Sequence, residues 1–160
     1  MRRLISVIIL ITIITAVSMT TACSQKKEEF NFTTFWDKVD EELIQQGKIS
    51  SMNDLTQQEI DNLYNIKPDL IKNSMFRIAT NPEIEASEIA VIETTGSAAL
   101  TSVQQSVGTR QQSKYSQWEN GIPDQFTIVK DYKTTTKGNY ILYVVSPSAD
   151  KIIEIFNSFF

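Results

Sequence analysis

The hydrophobic pattern begins with an unbroken apolar run, Leu4 to Val17, and turns periodic from Phe32 onward. Phe32, Trp36, Val39 and Leu43 recur at spacings of four, three and four, which is one face of a helix. Thr33 or Thr34 is placed to cap its start and Gly47 to end it. TQQE at 56–59 has the form of a capping box, and Ile60, Leu63 and Tyr64 give the short helix behind it an apolar side. Pro68 disfavours helix at Lys67, and Leu70 to Ile78, bounded by Pro68 and Pro82, reads as a strand. EIAVIET, Glu88 to Thr94, is a β-branched strand ending at the turn Thr95-Gly96. Ser97 to Trp118 then carries Leu100, Val103, Val107, Gln111, Tyr115 and Trp118 on one helical stripe. Gly108 and the threonines lower helix propensity here, so packing must hold this helix. Its other face is rich in Gln and Ser, either a polar contact surface or a solvated one.

FTIVKDY, Phe126 to Tyr132, and NYILYVVS, Asn139 to Ser146, read as two strands joined through TTTKG as a hairpin. Ile141, Tyr143 and Val145 share one face of the second strand, with Leu142 and Val144 on the other. Apolar residues on both faces predict an inner strand. Pro147 starts a turn, Ser148 is a candidate cap, and Lys151 to Phe160 forms a last helix. The pieces segregate in the manner of an α+β protein: a single small domain, residues 32–160, with helices packed on a small, mostly antiparallel sheet that includes a C-terminal hairpin. A chain of 160 residues that is 41% hydrophobic and 21% charged suits one such domain plus an N-terminal extension.

That extension has three zones. Arg2 and Arg3 precede the apolar run, and SMTTA supplies small residues before Cys23, the one cysteine of the chain. The layout is that of a secretory signal peptide over residues 1–22. As a helix the 14 residues from Leu4 to Val17 span about 21 Å, short of the roughly 30 Å hydrocarbon core. Thr21, Ala22 and Cys23 resemble the last three positions of the bacterial lipobox; Thr20 stands where an aliphatic residue is usual. By that resemblance Ala22 is the cleavage position, and Cys23 becomes a diacylglyceryl N-terminus carrying fatty chains such as palmitate. Two chains anchor a protein stably where one holds it marginally. Cleavage by an ordinary signal peptidase after Ala22, an uncleaved anchor, and a chance cysteine stay open at this point. Residues 23–31 would be a tether, with Lys26 and Lys27 near headgroups or simply solvated.

The landmarks in order, a lipobox, LTQQEIDNLYNI, EIAVIET, a long helix, GIPDQF, and NYILYVVSPSAD leading into a final helix, resemble the DUF4358 family of small lipoproteins of clostridial and related Gram-positive bacteria. The resemblance covers about Phe32 to Phe160. Two departures stand out: the Gln/Ser-rich long helix, where more Lys and Glu is usual, and Ser148, where an acidic residue is common. The resemblance implies an extracytoplasmic, lipid-anchored protein of the cell envelope and brings no assigned activity.

Composition narrows the chemistry. With no histidine and one committed cysteine, Ser-His and Cys-His nucleophiles and His/Cys metal sites are excluded, and neither a calcium loop nor a glycine-rich phosphate loop is present. No cofactor or metal is expected. Losing Arg2 and Arg3 with the signal takes the formal charge from −4 to −6, so nucleic acid is not an expected partner. Asp40, Glu41 and Glu42 read as a solvated helix face. Trp118, Pro123, Asp124 and Asp150 are candidates for a surface site or pocket, though packing and turn formation account for them as well. The expected function is a non-enzymatic binding or accessory module at the cell surface, held by the bilayer through Cys23 and contacting an envelope protein or peptide. The alternative is a carboxylate-dependent cell-wall glycan hydrolase using Asp124 or Asp150.

Overall fold

The structure, a computed structural model, describes residues 30–160. Cys23, Ala22 and the rest of the signal and tether before Phe30 lie outside the described residues. Helix α1, Phe32–Val39, starts at Asn31, whose Oδ1 accepts from Thr34 N at 2.9 Å; the cap is therefore Asn31, not Thr33 or Thr34. Its last turn, Asp40–Ile44, is a π turn, and Gly47 ends the segment at φ 65°. Strand β1, Met52–Asp54, leads to α2, Gln57–Tyr64. The capping box expected there forms: Thr56 N donates to Glu59 Oε2 at 2.7 Å, and Glu59 N donates to Thr56 Oγ1 at 3.4 Å.

Strands β2, Ile71–Ala79, and β3, Glu88–Thr94, are followed by α3, Ser97–Trp118, and α4, Pro123–Lys130. Strands β4, Lys133–Lys137, and β5, Tyr140–Val145, precede α5, Ala149–Asn157. All pairings are antiparallel in the order β1-β2-β3-β5-β4. The chain is a single small α+β domain with a C-terminal hairpin, as the sequence predicts.

Two sequence assignments are corrected. FTIVKDY is helical over most of its length, because Pro123 and Asp124 start a helix that buries Val129. Packing outweighs the strand preference of its β-branched residues. The hairpin survives, with KTTTK as its first strand and Gly138, at φ 56°, heading a two-residue turn. Ser148 makes no cap bond; its N–H instead donates to Ser146 Oγ at 3.1 Å.

The sheet is covered on both faces. Ile89, Val91, Leu142 and Val144 pack against α1 and α5; Ala90, Ile92, Ile141, Tyr143 and Val145 pack against α2, α3 and α4. This is why β5, an inner strand, is apolar on both sides. The edges are blunted, β1 by its three residues and β4 by its lysines and threonines. Arg77 of β2 ties sheet to helix. Its guanidinium lies over the Trp36 ring at 4.5 Å and bonds Asp54 at 2.7 Å and Asp40 at 3.0 Å. Asp40 is therefore a paired group and not simply part of a solvated face.

Candidate functional site

Two adjoining clefts of about 410 and 360 Å³ form a groove across the C-terminal end of β5, sharing Ile128 and Pro147 in their walls. Ser50, Ser51, Glu85, Ser87 and Gln125 line one half, and Asp131, Tyr132, Lys133 and Asp150 the other. Local bonds set this shape: Ala86 N donates to Gln125 Oε1 at 2.8 Å, and Ser50 Oγ donates to Glu85 Oε1 at 2.7 Å. Of the residues nominated from sequence, Asp150 lies in this groove, 88% exposed and 3.3 Å from Lys133 Nζ. Pro123 and Asp124 open α4 beside it and are not among its lining residues. Trp118 is buried in the core, with no hydrogen-bond partner for its Nε1 among the described residues.

A second cluster lies inside the domain. Glu88 opens β3 on the face toward α3 and is fully buried. Arg110 Nε and Nη2 donate to its Oε1 and Oε2 at 2.9 and 2.6 Å; Lys114 Nζ donates to Oε2 at 2.8 Å and the Tyr64 hydroxyl to Oε1 at 2.5 Å. Two carboxylate oxygens thus meet four donors, the full lone-pair capacity of the group. Burial alone would raise the Glu88 pKa, but the charges and hydrogen bonds of Lys114 and Arg110 outweigh it and hold it down at about 2. Burial lowers that of Lys114, against the pull of Glu88. Burial and the neighbouring Glu88 carboxylate raise those of Tyr64 and Tyr143. Tyr143 donates to Gln111 Oε1 at 2.8 Å, and Gln111 Nε2 donates to Val129 O at 2.8 Å, which carries the network on to α4. With every Glu88 lone pair taken, the arrangement joins β3, α2 and α3; it offers no carboxylate face to a substrate.

Sequence reading missed this cluster. The signals were an acidic residue opening an otherwise apolar strand, and Arg110 and Lys114, the only charged residues of a 22-residue helix, four positions apart. A third feature is a cleft of about 280 Å³ where α3 faces the end of α4 and the approach to β4, walled by Tyr115 and Tyr132. Among the described residues no group of three or more His, Cys, Asp and Glu is placed to hold a metal ion, and no helix is long and apolar enough to cross a membrane.

The class these features define is a small α+β domain: a five-stranded antiparallel sheet between two helical layers, with a saturated ion cluster under α3 and polar clefts around it. The family model for the domain of unknown function DUF4358 matches residues 45–146, and the chain belongs to that family. The matched stretch runs from the end of the π turn to the end of β5, so α1 and α5, which cover one face of the sheet, lie outside it. No curated protein and no solved structure matches the chain.

Proposed function

We propose that this protein is a lipid-anchored, extracytoplasmic binding module without enzymatic activity of its own. The observation that carries the proposal is the pairing of Cys23, separated from the apolar run by the five residues SMTTA, with an aromatic dock seven residues later. The Phe30 ring packs against Tyr140 at 5.3 Å, Phe156 at 5.4 Å and Phe160 at 5.7 Å. The tether therefore meets the domain at the start of β5, and seven residues reach at most about 25 Å from a lipidated Cys23. The groove at Pro147 lies beyond the opposite end of β5, whose six residues span about 17 Å. A bilayer at the Phe30 end leaves that groove facing outward, where a partner would meet it.

Hydrolysis of a glycan by two carboxyl groups needs both to face the bond across a cleft. Asp131 and Asp150 both line one half of the groove, and the Lys133 ammonium 3.3 Å from Asp150 pairs that carboxylate, an arrangement that favours binding over acid–base work. Mass spectrometry of the native protein tests the anchor: the expected N-terminus is Cys23 carrying a diacylglyceryl group, and Cys23→Ala should move the protein out of the membrane fraction. An unmodified residue 23, an intact Met1, or a Cys23→Ala variant that still pellets with membranes at high salt overturns it.

A further inference from the structure

Helix α3 places its charges inward. Arg110 and Lys114 are buried on Glu88, while the exposed positions from Ser97 to Gln117 are hydroxyl, amide, small or tyrosine residues, with no ionisable carboxyl or ammonium group. The rest of the domain is acidic, yet this face of a 22-residue helix is electrically neutral. The 280 Å³ cleft lies along it. Tyr115 and Tyr132 wall it, 37% and 41% exposed, and a second ring holds each: Phe126 at 5.0 Å from Tyr115, and Tyr143 at 6.3 Å from Tyr132. Gln111, fixed by its bonds to Tyr143 and Val129, stiffens the wall; Gln112 and Lys130 also line the cleft, with the Lys130 ammonium 5.0 Å over the Phe126 ring.

Gly108 completes the lining and carries a cost of its own. A glycine inside a helix is destabilising by roughly 0.5–1 kcal/mol relative to alanine. Close packing does not require it here, since a Cβ at 108 would meet nothing within 4 Å, and its φ is not in the left-handed region. What the missing side chain preserves is open space in the cleft.

We propose that this cleft is a binding subsite for a neutral glycan, taking one sugar ring between Tyr115 and Tyr132. Flat aromatic faces accept the apolar C–H face of a sugar, and the amides and the Lys130 ammonium meet its hydroxyl or N-acetyl oxygens. A neutral polymer also leaves no charge to be desolvated against the uncharged helix face. The volume is small beside the roughly 300–1,000 Å³ of whole-ligand pockets, as expected for one residue of a longer chain. The cleft begins 11 and ends 18 residues into α3, about 17–27 Å along its axis from the tether end of the domain. The proposal rests on the binding-module reading and names its ligand class.

The test is isothermal titration of the full chain in nanodiscs with the N-acetylglucosamine tetramer and the β-1,4-linked glucose tetramer, with empty nanodiscs as control. Saturable binding of at least one tetramer is expected, weakened about tenfold by Tyr132→Ala. Gly108→Gln should weaken it comparably while melting no lower than the parent, so loss of fold does not explain the result. Absence of saturable heat with both sugars, or unchanged binding in Gly108→Gln, overturns the proposal. If both sugars fail while proximity labelling on intact cells marks a specific envelope protein, the glycan is refuted and the binding module stands. If neither binds, both fall.

Discussion

Replacing Glu88 by glutamine tests the energetics of the buried cluster. The variant keeps the shape of the side chain and removes its charge, leaving Arg110 and Lys114 buried without a counter-ion. Removing one partner of a buried ion pair costs about 3–5 kcal/mol. A second route gives a similar figure. The Glu88 carboxyl is held at about 2 against an ordinary 4.5, and at 1.36 kcal/mol per unit that difference corresponds to about 3 kcal/mol. The pH dependence follows in sign. A carboxyl whose folded pKa is depressed contributes its stability above the unfolded value and loses it as pH falls through the folded one. The gap between parent and Glu88→Gln should therefore be full at neutral pH, begin to close near 4.5, and be nearly gone at about 2, where the protonated carboxyl is as uncharged as the amide. Urea denaturation of both proteins across that range measures it. Lys114→Met is the internal control, because it removes the surplus cation and leaves the bidentate Arg110–Glu88 pair and the Tyr64 bond. It should cost much less than Glu88→Gln or stabilise the fold. A Glu88→Gln variant within about 1 kcal/mol of the parent, or a gap independent of pH, refutes the reasoning.

Two further changes separate helix energetics from the site. Gly108→Ala should raise stability by about 0.5–1 kcal/mol, a few degrees in melting temperature, because the added methyl meets nothing and the helix gains propensity; a lower melting temperature would reveal hidden crowding at 108. Asn31→Ala should cost about 1 kcal/mol by calorimetry, since its Oδ1 satisfies the Thr34 N–H at the start of α1; an unchanged value would mean that water serves that N–H equally well.

Much of this fold was legible because its elements declare themselves locally. Glu88–Thr94 and Ser97–Trp118 were read with the bounds the structure has, one from an uninterrupted β-branched run and the other from long periodicity. The Thr56–Glu59 box was legible because both partners lie within one turn. The failures were non-local. Residues 126–132 carry β-branched side chains, and only the packing of Val129 beneath α3, with Pro123 fixing the start, makes them helical. Strand β1 is too short for any periodicity to show and exists because Met52 to Asp54 find a partner in Arg77 to Ala79. The nominated site residues came from turns, where Pro and Asp are conspicuous. The ion cluster drew on a strand, a helix and Tyr64, which no local window unites.

Helix α3 shows what a single distant carboxylate decides. The stripe predicted from sequence ran through Gln111 and Tyr115; burial runs through Arg110, Gln111 and Lys114, and leaves Tyr115 exposed. Adjacent residues on a helix differ by 100° in direction, so the two stripes differ by a modest rotation about the axis. Apolar content cannot choose between them, because Val103, Val107 and Trp118 are buried in the structure and lie on the predicted stripe too. The default assumption that charges face water chooses wrongly. What chooses is Glu88, 22 residues before Arg110, which would be an uncompensated charge inside the core unless both cations turn toward it. Once they do, the helix has no charge left for its outer face, and Gly108, Gln112 and Tyr115 are carried around to the cleft. The uncharged α3 face that forms one side of the proposed glycan cleft is thus the geometric complement of the buried ion cluster.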